Sequence, residues 1–297
     1  MNPVIIEAAI NGVTNKARNP RVPCAPAEIA ADGLSCLEAG AAIVHNHVDV
    51  LGSGAVVAER QLEGWGPILA ARPDAILYPT VGFGGDVVAR YAHIALLAEA
   101  TPMRMSVFDP GSVNLGGIAE DGLPGGAMDF VYTNTFGDIR HMAALCDAHH
   151  LGPSISIFEP GFLRATLAYH RAGRLPAGAF VKFYFGGDAD YLGGRGRGVG
   201  FGLPPTRAAL AAYVEMVEGT GLPWAVAVIG GDVIESGVAK LALEQGGHLR
   251  VGLEDYAGSR QPANVELVRE AVALAAAVGR PVATCRETMA LLALPRA

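Results

Sequence analysis

The chain has 297 residues, of which 51% are hydrophobic and 17% are charged, and its formal net charge at pH 7 is -7. Such a chain can bury a large core, which excludes a disordered or fibrous protein. The acidic balance argues against a nucleic-acid surface, because such a surface needs clustered Lys and Arg to displace counterions. The 4 cysteines form no C-x-x-C pair, so neither a disulfide framework nor a thiolate metal site is predicted.

The sequence carries no signal for a membrane or for export. No apolar run reaches the roughly 20 residues that a transmembrane helix needs. The first residues, MNPVIIEAAINGV, place no basic region before their apolar stretch, unlike a secretory signal peptide. We therefore expect a cytoplasmic protein without membrane partners.

Short apolar runs rich in β-branched residues alternate with longer Ala- and Leu-rich runs of helical period, which is typical of βα units around a buried parallel sheet. The predicted strands are 4–9, 41–47, 75–81, 103–108, 153–158, 179–184, 224–228 and 249–253. Predicted helices between them include 26–38, 206–218, 233–244 and 264–278.

Eight βα units without an internal linker favour a single domain, 1–297, with the α/β fold of a (β/α)8 TIM barrel. The Gly-rich stretch around 109–135 is predicted to be a long decorated loop, in which 129–133 could form an accessory strand. A Rossmann-like sheet is the main alternative. However, the first βα turn, AAINGVTNKARNP, lacks the G-x-G-x-x-G that cradles a pyrophosphate.

The strand AAIVHNH ends in two histidines, His45 and His47, with one residue between them. Residues i and i+2 of a strand share a face, so both imidazoles point the same way at the strand's carboxyl end. Barrel active sites lie at this end, and two neutral imidazole nitrogens can chelate one metal ion. A hydrogen-bonded histidine pair lining a polar pocket is the alternative that this tripeptide leaves open.

A second polar pattern is HLRVGLED at 248–255. Alternation along a strand places Arg250, Gly252 and Glu254 on one face, toward the barrel interior. Buried charges need a metal or a partner, and a purely structural ion pair between Arg250 and Glu254 is the alternative to a metal site. Asp255 is either a helix N-cap or a general base, and the sequence favours neither role.

Together, His45, His47 and Glu254 would make a three-ligand set that leaves coordination positions open, as a catalytic zinc requires. Such a set also hosts Fe(II) or Mn(II). Metal-dependent hydrolase barrels carry an H-x-H as well, but they usually add histidines from middle strands, and 153–158 and 179–184 contain none. Another metal-dependent barrel lyase or hydrolase acting on a small oxo acid, and a non-catalytic binding barrel, are the remaining alternatives.

These patterns belong to a longer likeness, because the chain resembles the β-keto acid cleavage enzymes nearly from end to end. The likeness rests on EAAINGV, CAPAEIAADG, CLEAGAAIVHNHV, GSVNLG, FEPG, WAVAVIG, GGHLRVGLED, NVELV and AVGRPVAT. The H-x-H strand end and RVGLED are specific in combination, although either alone would be weak.

The resemblance implies a homotetrameric zinc barrel that converts a β-keto acid and acetyl-CoA to acetoacetate and a shortened acyl-CoA. Zinc would be held by His45, His47 and Glu254. Asp255, oriented by Arg250, would act as the general base on the carbon between the substrate's carboxylate and its ketone. The expected partners are thus a small β-keto acid and a CoA thioester.

The resemblance also implies a substrate-binding set, which comprises Thr14, Asp49, Thr80, Ser106 and Glu159. Thr80 and Ser106 occupy positions where the family has hydroxyl residues that contact the substrate, and the SVFDPG segment is one residue longer than in the family. Thr14 stands where the member that accepts an ammonium-bearing substrate has an acidic residue.

Two departures from the family remove positive charge, because Asp49 and Gly231 stand where the family often has Arg. We therefore expect a cationic or neutral substrate in preference to one with a second carboxylate. The stretch GGRGRG at 193–198 could contact CoA phosphates, but it matches no Walker or Rossmann spacing, and a loop or subunit contact is favoured.

Overall fold

The structure of the protein, a computed structural model, describes residues 2–189 and 197–295. Within these residues the strands are β1 (Ile6–Ala9), β2 (Ile43–Asn46), β3 (Ile76–Pro79), β4 (Met105–Phe108), β5 (Val113–Ile118), β6 (Pro124–Tyr132), β7 (Gly152–Ile157), β8 (Phe180–Gly186), β9 (Arg197–Val199), β10 (Trp224–Ile229) and β11 (His248–Val251). The helices are α1 (Pro26–Ala39), α2 (Ala55–Ala71), α3 (Val87–Ala100), α4 (Phe136–Ala148), α5 (Pro160–Arg171), α6 (Arg207–Val217), α7 (Val238–Glu244), α8 (Asn264–Ala277) and α9 (Cys285–Leu291).

Eight of these strands pair in one parallel sheet, in the order β3-β2-β1-β11-β10-β8-β7-β4. The end strands β3 and β4 also lie against each other, so the sheet curls into a nearly closed barrel. Helices separate successive barrel strands along the chain, and this arrangement confirms the predicted (β/α)8 TIM barrel. The carboxyl ends of all eight strands consequently open onto one face, where barrel enzymes assemble their active sites.

The barrel strands are buried on both faces, as near-continuous apolar runs in a helix-covered parallel sheet should be. Alternation sorts side chains between the two sides of β8. Phe183 stacks on Tyr213 of α6 with ring centroids 4.8 Å apart, so it packs outside the barrel. Its neighbour Lys182 points inward, where its Nζ lies 2.7 Å from the Tyr78 hydroxyl of β3.

Several element ends differ from the prediction by one or more residues, among them those of β11 and α7. β11 ends at Val251, because Gly252 adopts a φ of 137° and lies so close to β1 that a Cβ would be 2.0 Å from the Ala9 carbonyl oxygen. Glu254 therefore lies in a turn and not on the strand. The helix predicted at 233–244 is shorter, since 233–236 form turns and α7 begins at Val238.

The stretch around 109–135, expected to be a long loop, contains the strands β5 and β6. Together with β9 they form a separate antiparallel sheet in the order β6-β5-β9, and β6 includes the accessory strand expected at 129–133. The Tyr132 hydroxyl of β6 donates to Oδ2 of Asp109 at 2.6 Å and so ties this sheet to the end of β4.

Two roles were predicted for the stretch at 193–198, contact with CoA phosphates or a loop or subunit contact. Residues 193–196 of this stretch lie outside the described residues. Across 2–189 and 197–295, no helix has both the length and the apolar character needed to cross a membrane.

Candidate active site

The ends of β2 and β11 bring together the three predicted metal ligands, His45, His47 and Glu254. Nε2 of His45 lies 3.2 Å from Oε2 of Glu254, and Nε2 of His47 lies 3.5 Å from Oε1 of the same carboxylate. One ligand atom from each residue lies within 4.8 Å of the others. His45 is buried, whereas His47 and Glu254 are half-buried, so the group lies where the barrel opens toward solvent.

Two asparagines direct the histidines inward. Oδ1 of Asn46 accepts hydrogen bonds from Gln61 and Trp65 of α2, at 2.7 and 2.8 Å, so Asn46 faces the helices and its two neighbours face the interior. In the loop after β1, Oδ1 of Asn11 accepts the His47 N–H at 2.8 Å. The Asn11 Nδ2 donates to the His47 carbonyl at 3.0 Å, so both backbone groups of His47 are held.

The same loop positions Glu254. Gly12 has a φ of 54°, and a Cβ at this position would lie 2.3 Å from Cγ of Glu254, so only glycine permits this packing. The hydroxyl of Thr14, a predicted substrate-binding residue, is buried and donates to the Leu253 carbonyl at 2.6 Å. Thr14 therefore fixes the backbone beside Glu254 in the structure.

The donor set fits a metal ion. Nδ1 of His45 lies 3.1 Å from the Tyr78 carbonyl, which can only accept, so Nδ1 carries the proton. Burial lowers the pKa of His45, which favours the neutral imidazole with a lone pair on Nε2. That lone pair faces Oε2 of Glu254, a buried oxygen without a hydrogen-bond donor among the described residues. Two acceptors at this separation repel each other, and a cation bound between them would remove that repulsion.

Glu254 is ionised in this surrounding. Although burial raises its pKa, the Arg250 guanidinium lowers that pKa well below the usual range. The predicted ion pair is also present, because Nη2 of Arg250 lies 2.8 Å from Oε1 of Glu254. The ion pair does not exclude a metal ligand, because Arg250 contacts Oε1 of Glu254 while Oε2 faces His45.

The Arg250 side chain is buried and uses all of its N–H groups. Nε and Nη2 donate to the two oxygens of Asp255, at 2.7 and 3.1 Å, while Nη2 also contacts Glu254. Nη1 donates to Oε1 of Glu7 at 2.8 Å and to the Tyr78 hydroxyl at 3.2 Å. A guanidinium has five N–H groups, so its orientation is fully specified.

Asp255, the predicted general base, lies in the turn after β11 and not at a helix start, since α8 has Ala263 as its N-cap. Burial raises the pKa of Asp255, and the paired Arg250 opposes that rise. Each carboxylate oxygen retains a second lone pair after accepting one bond from Arg250. The arrangement can therefore hold a carboxylate in a fixed orientation and still accept a proton.

Three buried residues of this site, Glu7, Tyr78 and Lys182, were not predicted from the sequence. Glu7 and Lys182 each interrupt an otherwise apolar strand, in VIIEAAI and FVKFYF, and that interruption was the available signal. Burial acts to raise the pKa of Glu7, but Lys182 and Arg250 lower it to about 2. Glu7 is thus a carboxylate at neutral pH.

Thr80 lies just after the end of a barrel strand, whereas Ser106 lies within a strand and faces a helix. Thr80 follows β3, two residues beyond Tyr78, and its carbonyl accepts from Nε2 of His93 at 2.8 Å. The Ser106 prediction requires correction. Ser106 is fully buried, and its hydroxyl faces Cys146 of α4, outside the barrel. Alternation along β4 turns its neighbours Val107 and Asp109 inward, so the structure does not bring Ser106 to the site.

Asp49 and Glu159 are engaged elsewhere. The Asp49 carboxylate accepts two hydrogen bonds from Arg60 of α2, both at 2.7 Å, so its negative charge is paired. Glu159 is the N-cap residue of α5, and its Oε1 accepts the Gly202 N–H at 2.9 Å. The structure records no contact between either residue and the three predicted ligands.

A (β/α)8 barrel in which two histidines and one carboxylate could hold a metal beside a buried Arg–Asp pair has the arrangement of a barrel enzyme suited to metal-assisted acid-base chemistry. The family model of the beta-keto acid cleavage enzymes matches residues 3–294, so the chain belongs to this family, and the resemblance inferred from the sequence is confirmed.

Similar proteins include a "3-keto-5-aminohexanoate cleavage enzyme" of Fusobacterium nucleatum, 29% identical over 304 residues and covering 100% of both chains. A "3-oxoadipate:acetyl-CoA acetyltransferase" of Cupriavidus necator is 30% identical over 305 residues, covering 99% of this chain and 95% of the other. A solved complex of ObcA with oxaloacetate shares 16% identity at a TM-score of 0.66, covering 94% of this chain and 69% of that one, and supports the fold.

Proposed function

We propose that the protein is a zinc-dependent enzyme that converts a β-keto acid and acetyl-CoA to acetoacetate and an acyl-CoA. The observation that carries this proposal is the convergence of His45, His47 and Glu254 beside the Arg250–Asp255 pair, in a chain that belongs to this family. The Cupriavidus relative, whose name contains acetyl-CoA, supports the choice of co-substrate.

Asp255 removes a proton from the carbon between the ketone and the carboxylate of the β-keto acid. Arg250 holds Asp255 through two hydrogen bonds during this transfer, so the base does not have to reorganise. His45, His47 and Glu254 would hold a zinc ion, which would stabilise negative charge on the substrate oxygens as a Lewis acid.

The deprotonated carbon forms a bond with the thioester carbonyl of acetyl-CoA, and CoA leaves as a thiolate. The thiolate then adds to the original ketone carbon. The bond between that carbon and the deprotonated carbon breaks, and its electron pair stays on the carbon that becomes C2 of acetoacetate. Protonated Asp255 returns its proton there, so all atoms of the β-keto acid and acetyl-CoA are accounted for in the two products.

The test combines metal analysis with a CoA-dependent assay for acetoacetate. His45→Ala and Glu254→Gln should lose both metal and turnover, because each removes one ligand. Asp255→Asn should keep the metal and lose about 10²- to 10⁴-fold in kcat, the range for a general base. His170→Ala, on the outer helix α5, is the control. Metal and activity retained in both ligand variants would reject the ligand set.

We further propose that the substrate is cationic or neutral beyond its one carboxylate. Positions 49 and 231 hold Asp and Gly, so neither supplies an arginine side chain. The Arg60 guanidinium beside Asp49 is already paired with that carboxylate. A second carboxylate would therefore find no unpaired cation at these two positions. Turnover of a panel of cationic, neutral and dianionic β-keto acids tests this point, and a clear preference for the dianions would reject it.

A cytoplasmic homotetramer completes the proposal. Several large apolar side chains are more than half exposed on the single chain, which favours association; they are Leu51, Val56, Phe83, Val88, Leu123, Val131 and Phe136. Sedimentation velocity should give a single species of four chains, and a monomer at assay concentrations would contradict the prediction. Cell fractionation checks the location.

A further inference from the structure

Below the metal-ligand group, three barrel strands bury a polar cluster in the barrel interior. The cluster consists of Glu7 of β1, Tyr78 of β3 and Lys182 of β8, none more than 1% exposed. The Tyr78 hydroxyl donates to Oε1 of Glu7 at 2.5 Å. The Lys182 Nζ donates to the Tyr78 hydroxyl at 2.7 Å and lies 3.4 Å from the same Glu7 oxygen.

The cluster holds one end of Arg250. Nη1 of Arg250 contacts Glu7 and Tyr78, while Nε and Nη2 contact Asp255 and Glu254. Because the guanidinium is planar and rigid, fixing Nη1 also fixes the direction of the donors that reach Asp255. Without these two acceptors, Nη1 would be left buried and unpaired, and the guanidinium would have to shift toward another acceptor.

Tyr78 connects this cluster to the metal ligands as well. Its carbonyl accepts the Nδ1–H of His45 at 3.1 Å, and its ring stacks on the imidazole with centroids 4.4 Å apart. A partner that orients the second nitrogen of a ligating histidine fixes both its tautomer and its ring plane. Tyr78 is therefore in contact both with a predicted ligand and with the residue that holds the predicted base.

Lys182 is costly to bury, and a well-packed apolar residue at such a position is often as stable or more stable. Its ammonium contacts Tyr78 and Glu7 and also lies 5.6 Å from the centre of the Tyr184 ring. Its ammonium hydrogen-bonds to Tyr78 and Glu7 and not to Arg250 or Asp255. The contacts that join Lys182 to the base therefore run through the Tyr78 hydroxyl and the Glu7 carboxylate.

We propose that Glu7, Tyr78 and Lys182 are positioning residues for the reaction. Lys182 orients the Tyr78 hydroxyl, Tyr78 and Glu7 orient Arg250, and Arg250 orients Asp255 for proton abstraction. This inference rests on the proposed function, but it concerns residues that neither the ligand set nor the general base includes.

The test uses Tyr78→Phe, which removes one hydroxyl and keeps the ring and carbonyl beside His45, and Lys182→Met, which removes the charge. Tyr213→Phe is the matched control, because Tyr213 is also fully buried but its hydroxyl lies outside the barrel. Each metal-loaded, folded variant is assayed for kcat, for KM and for solvent-deuterium exchange at the substrate's α-carbon without acetyl-CoA.

Tyr78→Phe and Lys182→Met should each lower kcat and α-carbon exchange by about 10- to 100-fold, the range for partners that orient a ligand or base. KM and metal content should stay within about twofold, since no group that touches substrate or metal is removed. A merely structural role would lower stability and leave exchange per folded enzyme unchanged, and that result would overturn the proposal.

The double variant tests the order of action. Because Lys182 contacts both Tyr78 and Glu7, the combined loss in kcat should be smaller than the product of the two single losses. Losses that multiply fully would show independent roles and overturn the chain of contacts. Should Lys182→Met not fold, Tyr78→Phe with its control still decides whether the hydroxyl matters.

Crystal structures of the variants separate this proposal from the proposed function. If the wild type cleaves no β-keto acid and exchanges no α-proton, the proposed function fails. The positioning claim is then judged by the Arg250 Nε to Asp255 Oδ2 contact, which is 2.7 Å in the wild type. A contact unchanged in both Tyr78→Phe and Lys182→Met would overturn it.

Discussion

Replacing Gly12 with alanine should remove the metal while leaving the barrel folded. The added Cβ would lie 2.3 Å from Cγ of Glu254, whereas carbon atoms in ordinary contact are about 3.5–4.0 Å apart. Glu254 or the loop must therefore move by roughly 1.2 Å or more. Metal–ligand distances tolerate about 0.2 Å, so a shift of this size takes the carboxylate out of coordination range.

A second glycine serves as a control that separates the cost of an L residue at positive φ from the displacement of Glu254. Gly12 has a φ of 54° and Gly219, after α6, has a φ of 73°, but a Cβ at Gly219 would meet nothing within 4 Å. Gly12→Ala and Gly219→Ala should both lose about 1–2 kcal/mol of unfolding free energy, because an L side chain is disfavoured at positive φ. Only Gly12→Ala has a reason to displace a metal ligand.

The assay is a zinc titration against a competing chelator, with turnover measured on the same samples and stability measured by denaturant unfolding. Gly12→Ala should bind zinc at least about 100-fold more weakly, the upper end of the loss from a disturbed ligand orientation, while Gly219→Ala should bind it normally. If Gly12→Ala keeps normal zinc affinity and turnover with the same stability loss as Gly219→Ala, Glu254 is not a ligand held by this packing.

Asn11→Ala should lower zinc affinity by about 10- to 100-fold, because the His47 N–H loses its acceptor and the His47 carbonyl keeps only the Asn46 amide as a donor; unchanged affinity in the chelator titration would contradict this. Burial lowers the pKa of His248 to about 3, so the folded state resists protonation. Stability is then fully present above about pH 6.5 and is lost as the pH falls toward 3, by at most about 1.4 kcal/mol per pH unit. His248→Asn should show a shallower fall in denaturant titrations, and an identical slope would refute this cause. Arg60→Met, which leaves the Asp49 carboxylate unpaired, should leave the unfolding free energy almost unchanged and raise relative turnover of cationic β-keto acids; an unchanged substrate ranking would contradict the second part.

The barrel could be predicted from the sequence because its signals are local. A buried parallel strand needs a short apolar run and its covering helix needs a 3.6-residue period, and both patterns are legible one element at a time. The pair His45 and His47 was predictable for the same reason, since two residues of spacing fix a shared face wherever the strand lies. The structure shows this alternation at Asn46, which lies between the two histidines and faces α2 instead of the barrel interior.

Ser106 shows where this reasoning failed. The family position was assigned across a segment of uncertain length, and a one-residue offset on a strand reverses the face that a side chain occupies. Glu254 was predicted to face inward on an extended strand, but it reaches the interior from a turn, because Gly252 approaches Ala9 and ends β11. The structure brings Glu254 to the two histidines from a turn and not from the predicted strand.

The sequence by itself determined the fold class, the family and the residue types that can bind a metal, because these depend on local periodicity and on short matching segments. Only the tertiary structure decided that Glu7, Tyr78 and Lys182 lie beneath Arg250, since they come from three strands that meet only when the barrel closes. Packing of helices on the strands also placed Ser106 against Cys146 of α4 and Asp49 beside Arg60 of α2. Contacts between distant strands depend on register and curvature, which no single segment of the chain encodes.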